Sequence, residues 1–174
     1  GHRDPSLKYA GGRFCFGGGV SAVMAVAPRR NAMYYRRAWN RDTVVTLVDL
    51  QRGTESQLLD AKAPVRSLDI SPDQKVLAVA STNQVGLWDL DGGKWLKPFE
   101  TESGEATQGL FSPDGQVMVV ADASGHIAFW NLAERRKLGV LTNALGSPGF
   151  LRFSTDGRWL VNPGGKSPTQ IWSA

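Results

Sequence analysis

The residues that most often carry out chemistry in proteins are scarce in this sequence. It contains two histidines, His2 and His126, and one cysteine, Cys15. A zinc site needs three or four Cys, His or carboxylate ligands at suitable spacing, and a nucleophilic cysteine needs a base beside it. Neither arrangement can be assembled from these three residues. The sequence therefore predicts no metal, no cofactor and no catalytic residue.

Glycines and aspartates add no catalytic motif. The glycine clusters at 11–12 and 17–19 lack the Lys-Ser/Thr pair and the strand-to-helix context of a phosphate-binding loop. The aspartates at positions 69, 73, 89 and 91 are close in sequence but are spread over a strand, a turn and a hairpin. They are interpreted as solvated turn carboxylates. We therefore expect that the chain is not an enzyme and has no small-molecule substrate.

Positive charge is unevenly distributed along the chain. The net charge is +4, and residues 1–60 contain nine Lys/Arg and five Asp/Glu, whereas the remainder contains eleven of each. A basic cluster is typical of a surface that binds an acidic protein or RNA. The candidate partner-binding residues are Arg29, Arg30, Arg36, Arg37 and Arg41, with Arg135 and Arg136 as a second patch. A solvated surface explains the same charge, because no aromatic nucleic-acid motif accompanies it.

The elements that must position these residues are short strands, because a strand–turn–strand–turn–strand unit recurs along the chain. Its β-branched and aliphatic runs are typical of strands. The first turns of three copies begin at Ser71, Ser112 and Ser154, and the third strands lead to Trp88, Trp130 and Trp172. The tryptophans are 42 residues apart. This period predicts an all-β fold, a β-propeller with about four blades of four antiparallel strands.

A weaker copy of the unit precedes these three. Its inner strand is predicted at Val20–Val26, Ala27–Arg30 replaces the turn motif, and Val48 occupies the tryptophan position. The predicted organisation is a glycine-rich lead-in over 1–19 and four blades. The lead-in contains one lone strand, Arg13–Phe16. The blades are predicted at 20–62, 63–104, 105–145 and 146–174, and the last blade lacks an outer strand.

The copies resemble WD40 repeats, with degenerate sequences. The resemblance rests on the turn motifs Ser71-Pro72-Asp73-Gln74 and Ser112-Pro113-Asp114-Gly115 and on the strand motifs Leu87-Trp88-Asp89-Leu90 and Phe129-Trp130-Asn131-Leu132. It covers residues 20–174. Proline fixes φ in the turn, and aspartate bonds back to the turn backbone. The resemblance implies a ring of seven or eight blades, of which this chain supplies a half-ring or a part.

The sequence departs from the family pattern at the residues that form a buried polar network. The family often has a Gly-His pair before the first strand and an aspartate in the turn before the third strand. Gly125-His126 falls at the start of a third strand instead, and His126 is expected at the surface. Six residues before the tryptophans lie Thr82, Ser124 and Lys166, and only Asp42 of the first copy matches. The blades are expected to depend on apolar packing and turn chemistry.

The functional expectation is a non-catalytic protein-interaction scaffold. Three arrangements would close the ring: a longer polypeptide, a second copy of the chain, or a different chain that donates blades. Two alternative functions are an RNA-associated subunit of a ribonucleoprotein complex and the propeller domain of a multidomain enzyme. No apolar run reaches the roughly 18–20 residues that span a bilayer, and the single cysteine suits a reducing compartment. An intracellular location, cytoplasmic or nuclear, and no membrane partner are therefore expected.

Overall fold

The computed structural model describes residues 23–36, 42–82, 84–142, 151–163 and 168–173. These residues form fifteen β-strands and one short 3-10 turn, Pro28–Arg30. In chain order the strands are β1 Met24–Ala27, β2 Ala32–Arg36, β3 Val44–Asp49, β4 Thr54–Asp60, β5 Val65–Ile70, β6 Val76–Ser81, β7 Gln84–Asp89, β8 Lys94–Glu100, β9 Ala106–Phe111, β10 Val117–Asp122, β11 Ile127–Asn131, β12 Lys137–Leu141, β13 Arg152–Phe153, β14 Trp159–Asn162 and β15 Gln170–Ser173. The lone strand predicted at Arg13–Phe16 lies outside the described residues.

The strands form four antiparallel sheets in which each strand pairs with its neighbours in sequence. The orders are β1-β2-β3-β4, β5-β6-β7-β8, β9-β10-β11-β12 and β13-β14-β15. This arrangement confirms the predicted all-β class with blades of four antiparallel strands. We call the sheets the first to fourth blades. The inner strands are β1, β5, β9 and β13, and the outer strands are β4, β8 and β12.

Serine and aspartate stabilise the first turn of three blades in the same way. Ser71 Oγ donates to Asp73 Oδ1 at 2.6 Å and accepts from the Val76 amide at 2.9 Å. The pairs Ser112–Asp114 and Ser154–Asp156 repeat the first contact, at 2.5 Å each. The serine hydroxyl holds the pKa of each of these aspartates below its usual value. The turn motif in the sequence is therefore a hydrogen-bonded unit.

The first blade turns differently because Ala27-Pro28-Arg29-Arg30 has neither the serine nor the aspartate. A 3-10 turn replaces the motif, and it ends at Asn31, whose φ is +50°. Asparagine tolerates this left-handed conformation better than most residues. The Asn31 amide donates to the Pro28 carbonyl at 3.1 Å. The turn is thus closed by backbone geometry.

The second and third blades use their two faces to pack against two neighbours. In the second blade, Leu77 pairs with Trp88 and faces the first blade, whereas Ala78 pairs with Leu87 and faces the third. We call the contact between neighbouring blades a seam. The face toward the next blade is the outgoing face, and the face toward the preceding blade is the incoming face. Alternation along each strand therefore produces one apolar cluster in each of the three seams.

The second seam, between the second and third blades, has a large aromatic contact at its centre. Phe99 of β8 lies with its ring centroid 5.3 Å from that of Trp130 in β11. Met118 is fully buried beside them, and burial of such a side chain contributes about 1.5–3 kcal/mol. A Cβ added at Gly109 would lie 2.5 Å from Val85 Cγ1. Glycine is required there because the two blades approach so closely.

Side chains also link the inner strands across seams. Gln108 is 4% exposed and bonds Leu151 of the fourth blade twice, donating to its carbonyl at 3.0 Å and accepting from its amide at 2.7 Å. Ser67 Oγ accepts from the Gly109 amide at 3.2 Å. An inner strand is the edge of its sheet, so these contacts satisfy backbone groups that have no ladder partner.

Candidate functional site

The predicted arginines fall at both ends of the blades. The first and third turns of each blade lie at one end, which we call the turn end. The second turn and the connection to the next blade lie at the other, the connection end. Arg29 and Arg30 lie in the first turn of the first blade, and Arg135 and Arg136 lie in the third turn of the third blade. Both pairs are therefore at the turn end, separated by the second blade.

Arg30 links the first blade to the second. Its Nη2 lies 2.6 Å from Asp91 Oδ1, and its Nε donates to the Gln74 carbonyl. The Arg29 amide donates to Gln74 Oε1 at 3.0 Å. The first blade lacks the serine–aspartate turn, and its two turn arginines contact the neighbouring blade instead. Arg30 is therefore engaged within the chain, whereas Arg29 is exposed.

Arg135 links the third blade to the second. Its Nη2 donates to the carbonyls of Lys97 and Pro98 at 2.7 and 2.8 Å. Its Cζ lies 4.1 Å from the centroid of the Phe99 ring, in cation–π geometry. Arg136 is exposed and forms an ion pair with Glu134 at 3.1 Å. The two neighbouring arginines therefore have different environments.

We expect Arg135→Ala to lower the free energy of unfolding by about 1–2 kcal/mol, because it removes two hydrogen bonds and a cation–π contact. Arg136→Ala is the matched control, and we expect a change within about 0.5 kcal/mol for an exposed ion pair. Urea denaturation followed by tryptophan fluorescence measures both. Equal effects of the two substitutions would show that the contact of Arg135 across the seam contributes nothing.

The remaining candidates lie toward the connection end. Arg36 ends β2 and donates through Nη1 to the Val65 carbonyl of the second blade at 3.0 Å, while its buried Nε has no hydrogen-bond partner. Arg37 and Arg41 lie outside the described residues. The structure therefore does not bring the described arginines into one patch. Their binding of a partner stays a prediction, and Arg29 and Arg136 are the exposed members.

A polar network that the sequence analysis missed lies at the connection end of the second seam. Asp122 is 1% exposed. Its Oδ1 accepts from the amides of Ser124 and His126 at 2.9 and 3.1 Å, and its Oδ2 accepts from the amide of Ser103 at 3.0 Å. His126 Nδ1 lies 3.3 Å from the same Oδ2. The carboxylate thus fastens the connection between two blades to a turn of the third blade.

This network corrects the expectation that His126 is a surface residue. Its side chain is 29% exposed and is oriented by Asp122. The trio of Ser103, His126 and Asp122 has the residue types of a catalytic triad but not the geometry. Ser103 Oγ lies 3.4 Å from Nδ1, the same nitrogen that faces the carboxylate. In a triad the serine bonds to Nε2, so these contacts are structural.

The tryptophans of the second and third blades lack indole hydrogen bonds, which agrees with the departure from the family's buried polar network. Nε1 of Trp88 and Nε1 of Trp130 are buried without a hydrogen-bond partner. A buried N–H group without a partner costs about 1–3 kcal/mol. These two tryptophans therefore stabilise the seams without an indole hydrogen bond, and Lys137 Nζ lies 5.0 Å from the centroid of the Trp130 ring. Trp88 also contacts Trp95 edge-on, with ring centroids 5.2 Å apart.

One cleft of about 800 Å³ lies between the third and fourth blades. It is lined by apolar residues of β12 and β15 together with turn residues, among them Leu138, Leu141, Trp172 and Asp156. Among the described residues, no group of three or more His, Cys, Asp or Glu side chains is placed to hold a metal ion. In the same residues no helix is long and apolar enough to cross a membrane.

Comparisons with known proteins agree with this architecture. Residues 53–89 match the family model described as WD domain, G-beta repeat. The match begins just before β4 of the first blade and ends with β7 of the second. One chain in the crystal structure of a mitotic checkpoint complex is similar in fold, with a TM-score of 0.74 and 20% identity. The similar region covers 87% of this chain and 46% of that one.

Three curated relatives are similar in sequence. U3 small nucleolar RNA-associated protein 12 of Saccharomyces cerevisiae is 28% identical over 67% of this chain, transcription initiation factor TFIID subunit 5 of Caenorhabditis elegans is 29% identical over 66%, and the LST8 homolog of Drosophila melanogaster is 27% identical over 67%. The chain spans 12%, 18% and 40% of their respective lengths.

The repeated four-stranded sheets, the seams between them and the similar fold define the class, a β-propeller. Within this class, residues 53–89 match a WD repeat, and the chain is similar to WD40-repeat proteins.

Proposed function

We propose that the chain is a non-catalytic protein-interaction scaffold, the propeller portion of a larger assembly or of a longer protein. The observation that carries the proposal is the outgoing face of the fourth blade. Ile171 and Trp159 on that face are 60% and 49% exposed, whereas Leu87, which precedes Trp88 as Ile171 precedes Trp172, is 4% exposed within a seam. Large apolar patches on a surface mark interaction sites.

The partner proposed for this face is a further propeller blade, from the remainder of a longer polypeptide, from a second copy or from another chain. An incoming face presents mainly aliphatic and aromatic side chains, as Leu151, Leu160 and Trp172 of the fourth blade show in the third seam. Such a surface complements Ile171, Trp159 and Val161. The names of two relatives, a TFIID subunit and a small nucleolar RNA-associated protein, support an assembly role and an intracellular, nuclear location.

RNA is the second proposed partner. The name of the yeast relative favours it, as does the net charge of +4. Within the described residues, however, Arg30, Arg36 and Arg135 already bond within the chain. Protein contact through the outgoing face is therefore the preferred function.

The test compares wild type with Ile171→Asp and with Leu50→Asp, a control at a turn residue that is 39% exposed. We expect wild type to bind a hydrophobic dye, and Ile171→Asp to bind less of it than Leu50→Asp does, because a charge breaks the apolar face.

Light scattering after gel filtration gives the solution masses of the three proteins. A clean dimer that Ile171→Asp dissociates indicates a second copy, and a monomer or an ill-defined aggregate indicates that the further blade belongs to a longer polypeptide or to another chain. Equal dye binding and equal mass for all three proteins would contradict the proposal.

A further inference from the structure

One partly buried carboxylate lies in a seam where the first and third blades have aliphatic residues. Asp69 of β5 pairs across the sheet with Ala78 and faces the second seam. The same position is Leu110 in the third blade and Ala25 in the first, each 7% exposed. Asp69 Oδ2 accepts from the Phe111 amide of the third blade at 2.8 Å. An ionisable group therefore takes part in the contact between two blades, and the interpretation of Asp69 as a solvated turn carboxylate is wrong.

The surroundings of Asp69 disfavour its charge. Burial raises the pKa of the carboxyl to about 6, against the opposing effects of the Phe111 and Ile70 amides and of the Arg152 charge. A carboxylate is costly in an apolar seam unless it is paired and fully hydrogen-bonded. Arg152 belongs to the fourth blade, and its own Nη1 donates to the Leu151 carbonyl.

No other charge on the packed strands balances Asp69. The strands β1, β6 and β9, which pack against β5, carry no ionisable side chain. The strand β2 contributes Tyr34, Tyr35 and Arg36, and Arg36 donates to the Val65 carbonyl. On β5 itself, Arg66 is paired with Glu105 at 2.8 Å.

We propose that Asp69 makes the second seam sensitive to pH, so that the contact between the second and third blades is more stable in mild acid than at neutral pH. The folded chain holds the proton of the Asp69 carboxyl more tightly than the unfolded chain does. The stabilisation is therefore complete below the unfolded value of 3.8 and is lost as pH rises through about 6.

The turn aspartates change the stability of the chain with pH in the opposite direction, and they do so at lower pH. The serine hydroxyls lower the pKa values of Asp73, Asp114 and Asp156. Their stabilisation is present above the unfolded value and is lost as pH falls. The global stability profile therefore mixes both effects, and a measurement at the seam itself is needed.

The Phe111 amide reports directly on the Asp69 carboxyl, and NMR across about pH 3 to 8 follows its chemical shift. We expect a titration midpoint near 6 that is absent in Asp69→Asn, whose side-chain oxygen still accepts the hydrogen bond. The Gln116 amide, which donates to Asp114 Oδ1 at 3.0 Å, is the internal reference and should titrate at lower pH.

Thermal unfolding supplies the second readout. The melting temperature of Asp69→Asn relative to wild type should rise between about pH 4 and 7, because only wild type loses the stabilisation there. A Phe111 midpoint as low as that of Gln116, or one that persists in Asp69→Asn, would overturn the proposal. If Asp69→Asn does not fold, the wild-type midpoint alone decides between the two outcomes.

Discussion

Asp122→Ala is expected to lower the free energy of unfolding by about 3 kcal/mol. The carboxylate is 1% exposed and accepts from three backbone amides, and its loss leaves those donors without partners. An unsatisfied buried donor costs about 1–3 kcal/mol, and bonds to a charged acceptor are at the upper end. Because one of these amides belongs to Ser103, the connection between two blades should also lose protection from hydrogen exchange.

Urea denaturation measures the change in stability, and amide exchange at Ser103 measures the local effect. Glu134→Ala is the control, because that carboxylate is 59% exposed in its ion pair and should contribute no more than about 0.5 kcal/mol. If Asp122→Ala and Glu134→Ala have equal effects, the network does not hold the seam. Faster exchange throughout the chain without a specific change at Ser103 would contradict the local role.

Trp130→Ala is expected to cost about 3–5 kcal/mol, the range for removal of a large aromatic side chain from a core. Its ring packs 5.3 Å from that of Phe99 in the second seam. Trp130→Phe should cost much less, because it keeps an aromatic ring and the indole Nε1 has no hydrogen-bond partner to lose. Denaturation of the two variants side by side measures the difference.

Trp95→Ala is the control for loss of an indole ring at the surface. Trp95 is 42% exposed, so less apolar area is lost and we expect a cost of about 1–2 kcal/mol. Equal costs for Trp130→Phe and Trp130→Ala would mean that the indole N–H makes a bond that stabilises the seam. Equal costs for Trp95→Ala and Trp130→Ala would mean that the seam does not depend on buried aromatic packing.

Much of the blade architecture could be predicted from sequence because it depends on local patterns. Apolar runs and turn residues predicted blades of antiparallel strands with first turns that begin at Ser71, Ser112 and Ser154, as observed. The serine–aspartate turns were recognisable because their hydrogen bonds join residues only two to five positions apart. The fold class follows from their regular recurrence.

The Asp122 network was missed because the family position was counted from the tryptophan. The stretch from Ser112 to Trp130 is one residue longer than that from Ser71 to Trp88. A count of six residues back from Trp130 reaches Ser124, whose amide bonds to Asp122. The extra residue lies within the turn, and the sequence alone does not reveal which residue carries the buried carboxylate.

The roles of the arginines depend on contacts between blades. Arg135 and Arg136 are adjacent in sequence, yet one contacts two carbonyls across a seam and the other pairs with Glu134. Which arginine crosses the seam depends on a positive φ at Arg135 and on the position of β8. Charge clustering alone therefore predicted a basic surface and could not separate arginines that join blades from those available to a partner.

Site-specific cross-linking tests the proposed scaffold role most directly. The photoreactive residue p-benzoylphenylalanine replaces Ile171, which is 60% exposed on the outgoing face, or Leu50 as the control. The chain is irradiated in its source cells, and products are identified by mass spectrometry. We predict cross-links from position 171 to a polypeptide segment that carries propeller-blade repeats, with few or none from position 50. No cross-link from position 171, or the same products from both positions, would contradict the proposal that this face joins a further blade.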